Sequence, residues 1–136
     1  MGKSTFSGPL RVGSGDDAGT LIAAKMATMT QNGTNNVSVT ITVPENASIL
    51  DVYFDVTTAW DSGTSATGSI GTVAGGTQYG GSINLKTATR GTPTYTVAQL
   101  AAMANVGSNT NVVFTSTISG ATTAGTARCV VRYMMN

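Results

Sequence analysis

Residues 37–43 read VSVTITV, with Val37, Val39, Ile41 and Val43 alternating against Ser38, Thr40 and Thr42. A period of two sends one set of side chains into a core and the other into water, so the stretch predicts a half-buried strand. Residues 49–60 (ILDVYFDVTTAW) repeat the pattern. Here Leu50, Val52, Phe54 and Val56 are expected on one face, and Asp51, Tyr53, Asp55 and Thr57 on the other. Residues 111–118 (NVVFTSTI) and 126–135 (TARCVVRYMM) predict two further strands, with weaker ones near 68–73 and 83–85. Residues 21–30 (LIAAKMATMT) have the Ala and Met content of a helix. They run into Gln31-Asn32-Gly33, however, a turn signal that precedes a strand, and the strand reading is preferred.

One segment switches to helical character. In residues 96–104 (TVAQLAAMA), Thr96 is an N-cap and Gln99, three residues on, completes a capping box. Val97, Leu100 and either Met103 or Ala104 are the expected apolar stripe, and Gly107 is the stop. About seven short strands with one short helix predict a mainly β domain, an antiparallel β-sandwich or jelly roll. Residues 1–20 have no periodicity and carry five glycines and a proline. They read as an extended N-terminal arm ahead of a single β-sandwich domain spanning 21–136.

Composition narrows the function classes. At 136 residues the chain is expected to form one domain, able to bury roughly two-thirds of its unfolded surface. Charged residues make up 10% and the net charge is +1, where ordinary soluble domains carry about 25% charged residues. So weak a field attracts neither nucleic acid nor an acidic membrane surface, and partners of both kinds are expected to be absent. Thr, Ser, Asn and Gly fill the deficit, and a weakly charged surface favours self-association. One cysteine, Cys129, and no histidine leave no internal disulfide, no zinc-type cluster and no Ser-His-Asp or Cys-His catalysis. Neither a secretory leader nor a transmembrane run is expected.

The chemical motifs are sparse. Gly2-Lys3-Ser4-Thr5 matches the end of a phosphate-binding P-loop. That motif needs an earlier glycine, a strand before it and a helix after it, and Ser7-Gly8-Pro9 breaks any such helix. Asp51 and Asp55 share a strand face, but at about 3.3 Å per residue they stand about 13 Å apart. Paired glycosidase carboxylates stand roughly 5–9.5 Å apart. Asp16-Asp17 lacks the further ligands of a calcium loop. No enzymatic activity, cofactor or metal is expected. Trp60 ends a strand beside a turn and is a candidate sugar-stacking platform, with core packing the competing fate. Cys129 is expected to be a buried, inert thiol. Arg128 and Arg132 share a strand face suited to pairing with Asp51 and Asp55 across strands or subunits.

Several stretches carry a likeness to a known group. They are Ser4-Thr5-Phe6-Ser7-Gly8-Pro9-Leu10-Arg11 before a glycine-rich segment, the strand at residues 49–60, and the Gly-Ser-Ile-Gly-Thr segment after its turn. The Gly-Thr-Pro-Thr-Tyr-Thr run before the helix and the final Ala-Gly-Thr-Ala-Arg-Cys-Val-Val-Arg-Tyr strand complete it. Together they resemble small structural proteins of tailed bacteriophages. The resemblance implies a capsid decoration (cement) protein that binds the outside of an icosahedral shell, with the major capsid protein and further copies of itself, as a homotrimer, for partners. It implies a place on the virion, reached from the host cytoplasm during assembly. Phe6, Pro9, Leu10, Arg11 and Val12 are then the candidate capsid or subunit contacts, and Arg128, Arg132, Tyr133 and Met134 the candidate oligomer interface. A head-fibre, tail or connector component and a carbohydrate-binding module are the alternatives.

Overall fold

A computed structural model describes residues 21–136. The arm, with Phe6, Pro9, Leu10, Arg11 and Val12, lies outside the described residues, as does Asp16-Asp17. The elements in chain order are β1 (Ile22–Thr30), β2 (Val37–Val43), β3 (Ala47–Thr58), β4 (Ser65–Gly71), β5 (Gly80–Asn84), β6 (Arg90–Gly91), α1 (Val97–Met103), β7 (Thr110–Ser119) and β8 (Thr126–Met135). They build two four-stranded antiparallel sheets, ordered β1-β8-β3-β6 and β2-β7-β4-β5. First pairs with last and second with last but one: β1 with β8, β2 with β7, β3 with β6, β4 with β5. These are the rungs of one long antiparallel ribbon folded over on itself, and the β3–β8 and β4–β7 pairs close each sheet. The connectivity is that of a jelly roll, within the expected fold class.

The alternating strands behave as their pattern demands. On β2, Ile41 and Val43 are buried while Ser38, Thr40 and Thr42 are exposed. Between the sheets the Phe54 and Phe114 rings meet edge to face, with centroids 5.2 Å apart and planes at 85°. Val52, Ile70, Val112 and Val131 are fully buried around them. Gly68 brings backbone against Phe54: a Cβ there would lie 2.5 Å from the ring.

Three sequence expectations need correction. Leu50 does not face the core; it is 39% exposed, while Ile49 is buried. The β3–β8 register runs from Ile49↔Tyr133 directly to Asp51↔Arg132, so Leu50 is the extra residue of a β-bulge. The bulge resets the alternation, which is why both Ile49 and Val52 point inward. The helix forms with its capping box: the Thr96 hydroxyl accepts from the Gln99 N–H, and Gln99 Oε1 accepts from the Thr96 N–H. Its apolar stripe, however, is mostly outside. Met103 is buried, but Val97 is 85% and Leu100 51% exposed. Gln99 Nε2 donates to the Thr77 carbonyl, and the Ser48 hydroxyl donates to the Ala104 carbonyl. These ties turn Met103 inward, and at about 100° per residue Val97 is then carried about 120° away from it. Finally, β6 was not anticipated. It is two residues long, and at Gly91 a Cβ would lie 2.4 Å from Ile83 Cγ2.

At one end of the sandwich the Asp61 carboxylate ties the β3–β4 loop to the β7–β8 loop. Asp61 accepts hydrogen bonds from the Thr123 hydroxyl and from the Thr123 and Ala124 N–H groups. The Thr123 side chain and then these backbone donors lower its pKa to about 2. A carboxylate depressed on folding stabilises above its unfolded pKa and loses that contribution as pH falls towards about 2. Asp61→Asn is therefore expected to unfold at lower temperature than the wild type at pH 6. Thermal unfolding followed at stepwise lower pH should show the difference shrinking from about pH 4 downward. A difference constant to the lowest pH refutes this role for the ionised carboxylate.

Candidate interaction surface

Because β8 has a period of two, Arg128, Val130, Arg132 and Met134 point to the outside of their sheet, and Cys129, Val131 and Tyr133 to the inside. The candidate interface residues Arg128, Arg132 and Met134 thus share one face. Tyr133 does not join them: it is 7% exposed and packs in the core.

The register places this face in rows. Met26 of β1, Val130 of β8 and Tyr53 of β3 form an apolar row. On one side lie Ala24, Arg132 and Asp51; on the other, Thr28, Arg128, Asp55 and Arg90. The expected alignment of Asp51 and Asp55 with Arg132 and Arg128 is present strand against strand. Arg128 Nη2 donates to Asp55 Oδ2 at 2.5 Å. Its side chain is 54% exposed, so the pair adds only about 0–1 kcal/mol to folding. Asp51 instead accepts from the Tyr95 hydroxyl at 2.7 Å, and that hydroxyl in turn accepts from the Val52 N–H at 3.0 Å. Burial, then the hydrogen bond to Asp51, pushes the Tyr95 pKa up. Arg90 lies 4.4 Å over the Tyr53 ring, in cation–π range. Both carboxylates are therefore engaged by partners within the domain. Although it faces outward, Val130 is only 4% exposed. Met26, by contrast, is 65% exposed.

The outer edge of β1 is protected differently. Lys25 points along the inner side, donates to the Thr42 carbonyl on β2 at 2.7 Å and stands 6.0 Å from the centre of the Tyr133 ring. An inward-turned lysine on an edge strand discourages pairing by a further strand.

Other candidates resolve as structure. Trp60 is 1% exposed; its indole N–H donates to Gln31 Oε1 at 2.6 Å. It offers no platform to a sugar ring, contrary to that reading of the sequence. Cys129 is buried, and burial pushes its thiol up to about 12, which suits an inert packing residue. Among the described residues no three His, Cys, Asp or Glu side chains gather to hold a metal ion. An open depression of about 460 Å³ between β5 and β6 is lined by Ser82, Asn84, Thr87, Thr92 and Thr94, with Arg90 as its charge. Period-two reading found the Arg–Asp rows, but Tyr95 was missed as the partner of Asp51. It arrives from a loop 44 residues away, and no local pattern marks it.

No family model, curated protein or solved structure matches this chain.

Proposed function

We propose that this protein is a structural virion component, a decoration protein on the outer surface of an icosahedral phage capsid. It would contact the major capsid protein and its own copies as a homotrimer, without catalysis or cofactor. The observation that carries the reading is the outer face of the β1-β8-β3-β6 sheet, where exposed Met26 and half-buried Tyr53 lie among Arg90, Arg128 and Arg132. Met, Tyr and Arg are the residue types enriched where proteins meet. The jelly roll, an architecture of viral capsid domains, adds support, as does the resemblance of the sequence to small phage virion proteins. Lectins share the architecture, but burial of Trp60 removes the platform that favoured a sugar-binding module. Many copies, each making modest contacts, would reinforce a shell by multivalency.

Imaging purified virions with the protein present and depleted tests the reading. Repeated density over the head, lost on depletion, is expected. Density confined to the tail or neck would assign another virion role, and absence from particles would overturn the proposal. Arg132→Glu should leave the melting temperature nearly unchanged, since exposed charges contribute about 0–1 kcal/mol. It should also lower the oligomeric mass in sedimentation. An unchanged mass removes Arg132 from the interface.

A further inference from the structure

The large apolar side chains left exposed among the described residues are not scattered. Met26 lies mid-strand on β1; the others gather at one end of the sandwich. Ile22 begins β1 beside the end of β8, where Met135 stands, and Ala47 at the start of β3 pairs with Met135. Leu50 is at the nearby bulge. Val73 lies in the β4–β5 loop, which leaves the same end: Gly71 pairs with Val113 near the start of β7, and Thr110 there pairs with Val43, just ahead of β3. Val97 and Leu100 are on α1, tied to that loop through Thr77 and to β3 through Ser48. The opposite end is built from residues 31–36, 59–64, 85–89 and 120–125, and exposes no large apolar side chain. Its Trp60 and Leu85 are buried, and Asp61 binds two of its loops, 59–64 and 120–125, together. The domain is amphipathic from end to end, and apolar patches of this kind mark a site that something covers.

The chain itself supplies a matching segment. Leu21 enters β1 at the apolar end; its carbonyl accepts from the Met135 N–H. Residues 13–20 (GSGDDAGT) precede it, and before them residues 5–12 (TFSGPLRV) carry Phe6, Pro9, Leu10 and Val12. At no more than about 3.3–3.6 Å per residue, the spacer reaches nearly 30 Å. The end it must cross is narrower, four strands at about 4.8 Å in one direction and two sheets about 10 Å apart in the other. Charge agrees as well. The connections at this end, residues 44–46, 72–79 and 92–109, hold one charged side chain, Glu45, and residues 5–12 hold one, Arg11. A connection of eight residues gives an effective concentration on the order of millimolar, so at micromolar protein the chain's own segment outcompetes a second copy.

We propose that residues 5–12 dock on the apolar end of their own domain, with Phe6 and Leu10 against the α1 and β4–β5 loop surface and Arg11 towards Glu45. This inference stands on the domain's geometry and not on the virion reading. The same segment is the candidate contact with a shell, so docking at home and binding a shell would compete.

Hydrogen exchange on the full-length chain tests it, with the loop at residues 120–125 as internal reference. Phe6→Asp combined with Leu10→Asp is expected to speed exchange several-fold in residues 72–79 and 97–103, to raise binding of an apolar dye, and to leave the reference loop unchanged. Arg11→Glu should do the same more weakly, and adding Glu45→Arg should restore protection. Equal exchange in wild type and double variant overturns the proposal. Protection that is lost on tenfold dilution also overturns it and makes a second copy the occupant. Because these measurements use free protein, their failure leaves the virion imaging result untouched, and failure there leaves the docking untouched.

Discussion

Phe54→Ala is expected to destabilise the domain by about 3–5 kcal/mol, a large part of the roughly 5–15 kcal/mol that holds such a domain folded. The ring is fully buried and meets Phe114 edge to face on one side. On another it lies against Gly68, where even a methyl group would approach to 2.5 Å. Two sheets fixed by hydrogen bonds along their strands collapse little into the space left behind, so the cavity term remains. Urea unfolding followed by circular dichroism measures the loss. Should the alanine variant not fold, Gly68→Ala tests the same contact from the other side. Overpacking there is expected to cost about 1–3 kcal/mol in the wild type. In a Phe54→Leu background the ring atoms that a new methyl would meet are gone, and the penalty should fall by more than about 0.5 kcal/mol. Additive costs would show that the ring is not what keeps residue 68 a glycine.

What the sequence reveals of this fold follows from how local each cause is. The strands at residues 37–43, 111–118 and 126–135 are each written in their own alternation, and the structure has them as β2, β7 and β8 within a residue or so. The capping box of α1 is equally local, its partners three residues apart. The failures have distant causes. The bulge at Leu50 depends on registration with β8, some eighty residues on, and the side of α1 that faces inward goes with ties to the distant Thr77 and Ser48. At two residues, β6 is too short to have a period. The surface divides in the same way. That Arg128 and Arg132 share a face is a property of one strand, and their alignment with Asp55 and Asp51 follows once β3 and β8 are known to pair. That Asp51 is held by Tyr95, or that exposed apolar residues from five separate elements and loops meet at one end, is a property of the jelly-roll wrapping and invisible in any window of sequence.

Trp60→Ala is expected to cost about 3–5 kcal/mol, comparable with the loss of Phe54 but at the polar end of the molecule rather than between the sheets. The indole is almost completely buried, its N–H is held by Gln31, and Gly125 lies flush on its face, where a Cβ would come within 2.5 Å of the ring. Trp60 therefore clamps the start of the β1–β2 turn to the end of the β7–β8 loop, and Gln31 N–H reinforces the clamp by donating to the Gly125 carbonyl at 2.9 Å. Differential scanning calorimetry should show the fall in stability, and hydrogen exchange should rise first in residues 31–36 and 120–125. Trp60→Phe keeps most of the apolar volume and loses the donor to Gln31, so a smaller cost of about 1–3 kcal/mol is expected. Gly125→Ala supplies the control: destabilising in the wild type both through contact with the indole and through the positive φ of residue 125, it should cost clearly less once Trp60 is alanine. A sugar platform behaves otherwise. There, Trp60→Ala would abolish glycan binding in an otherwise stable protein, and Gly125 would be indifferent to it. The close contact of Gly125 with a fully enclosed indole makes the tryptophan a fastening of the fold.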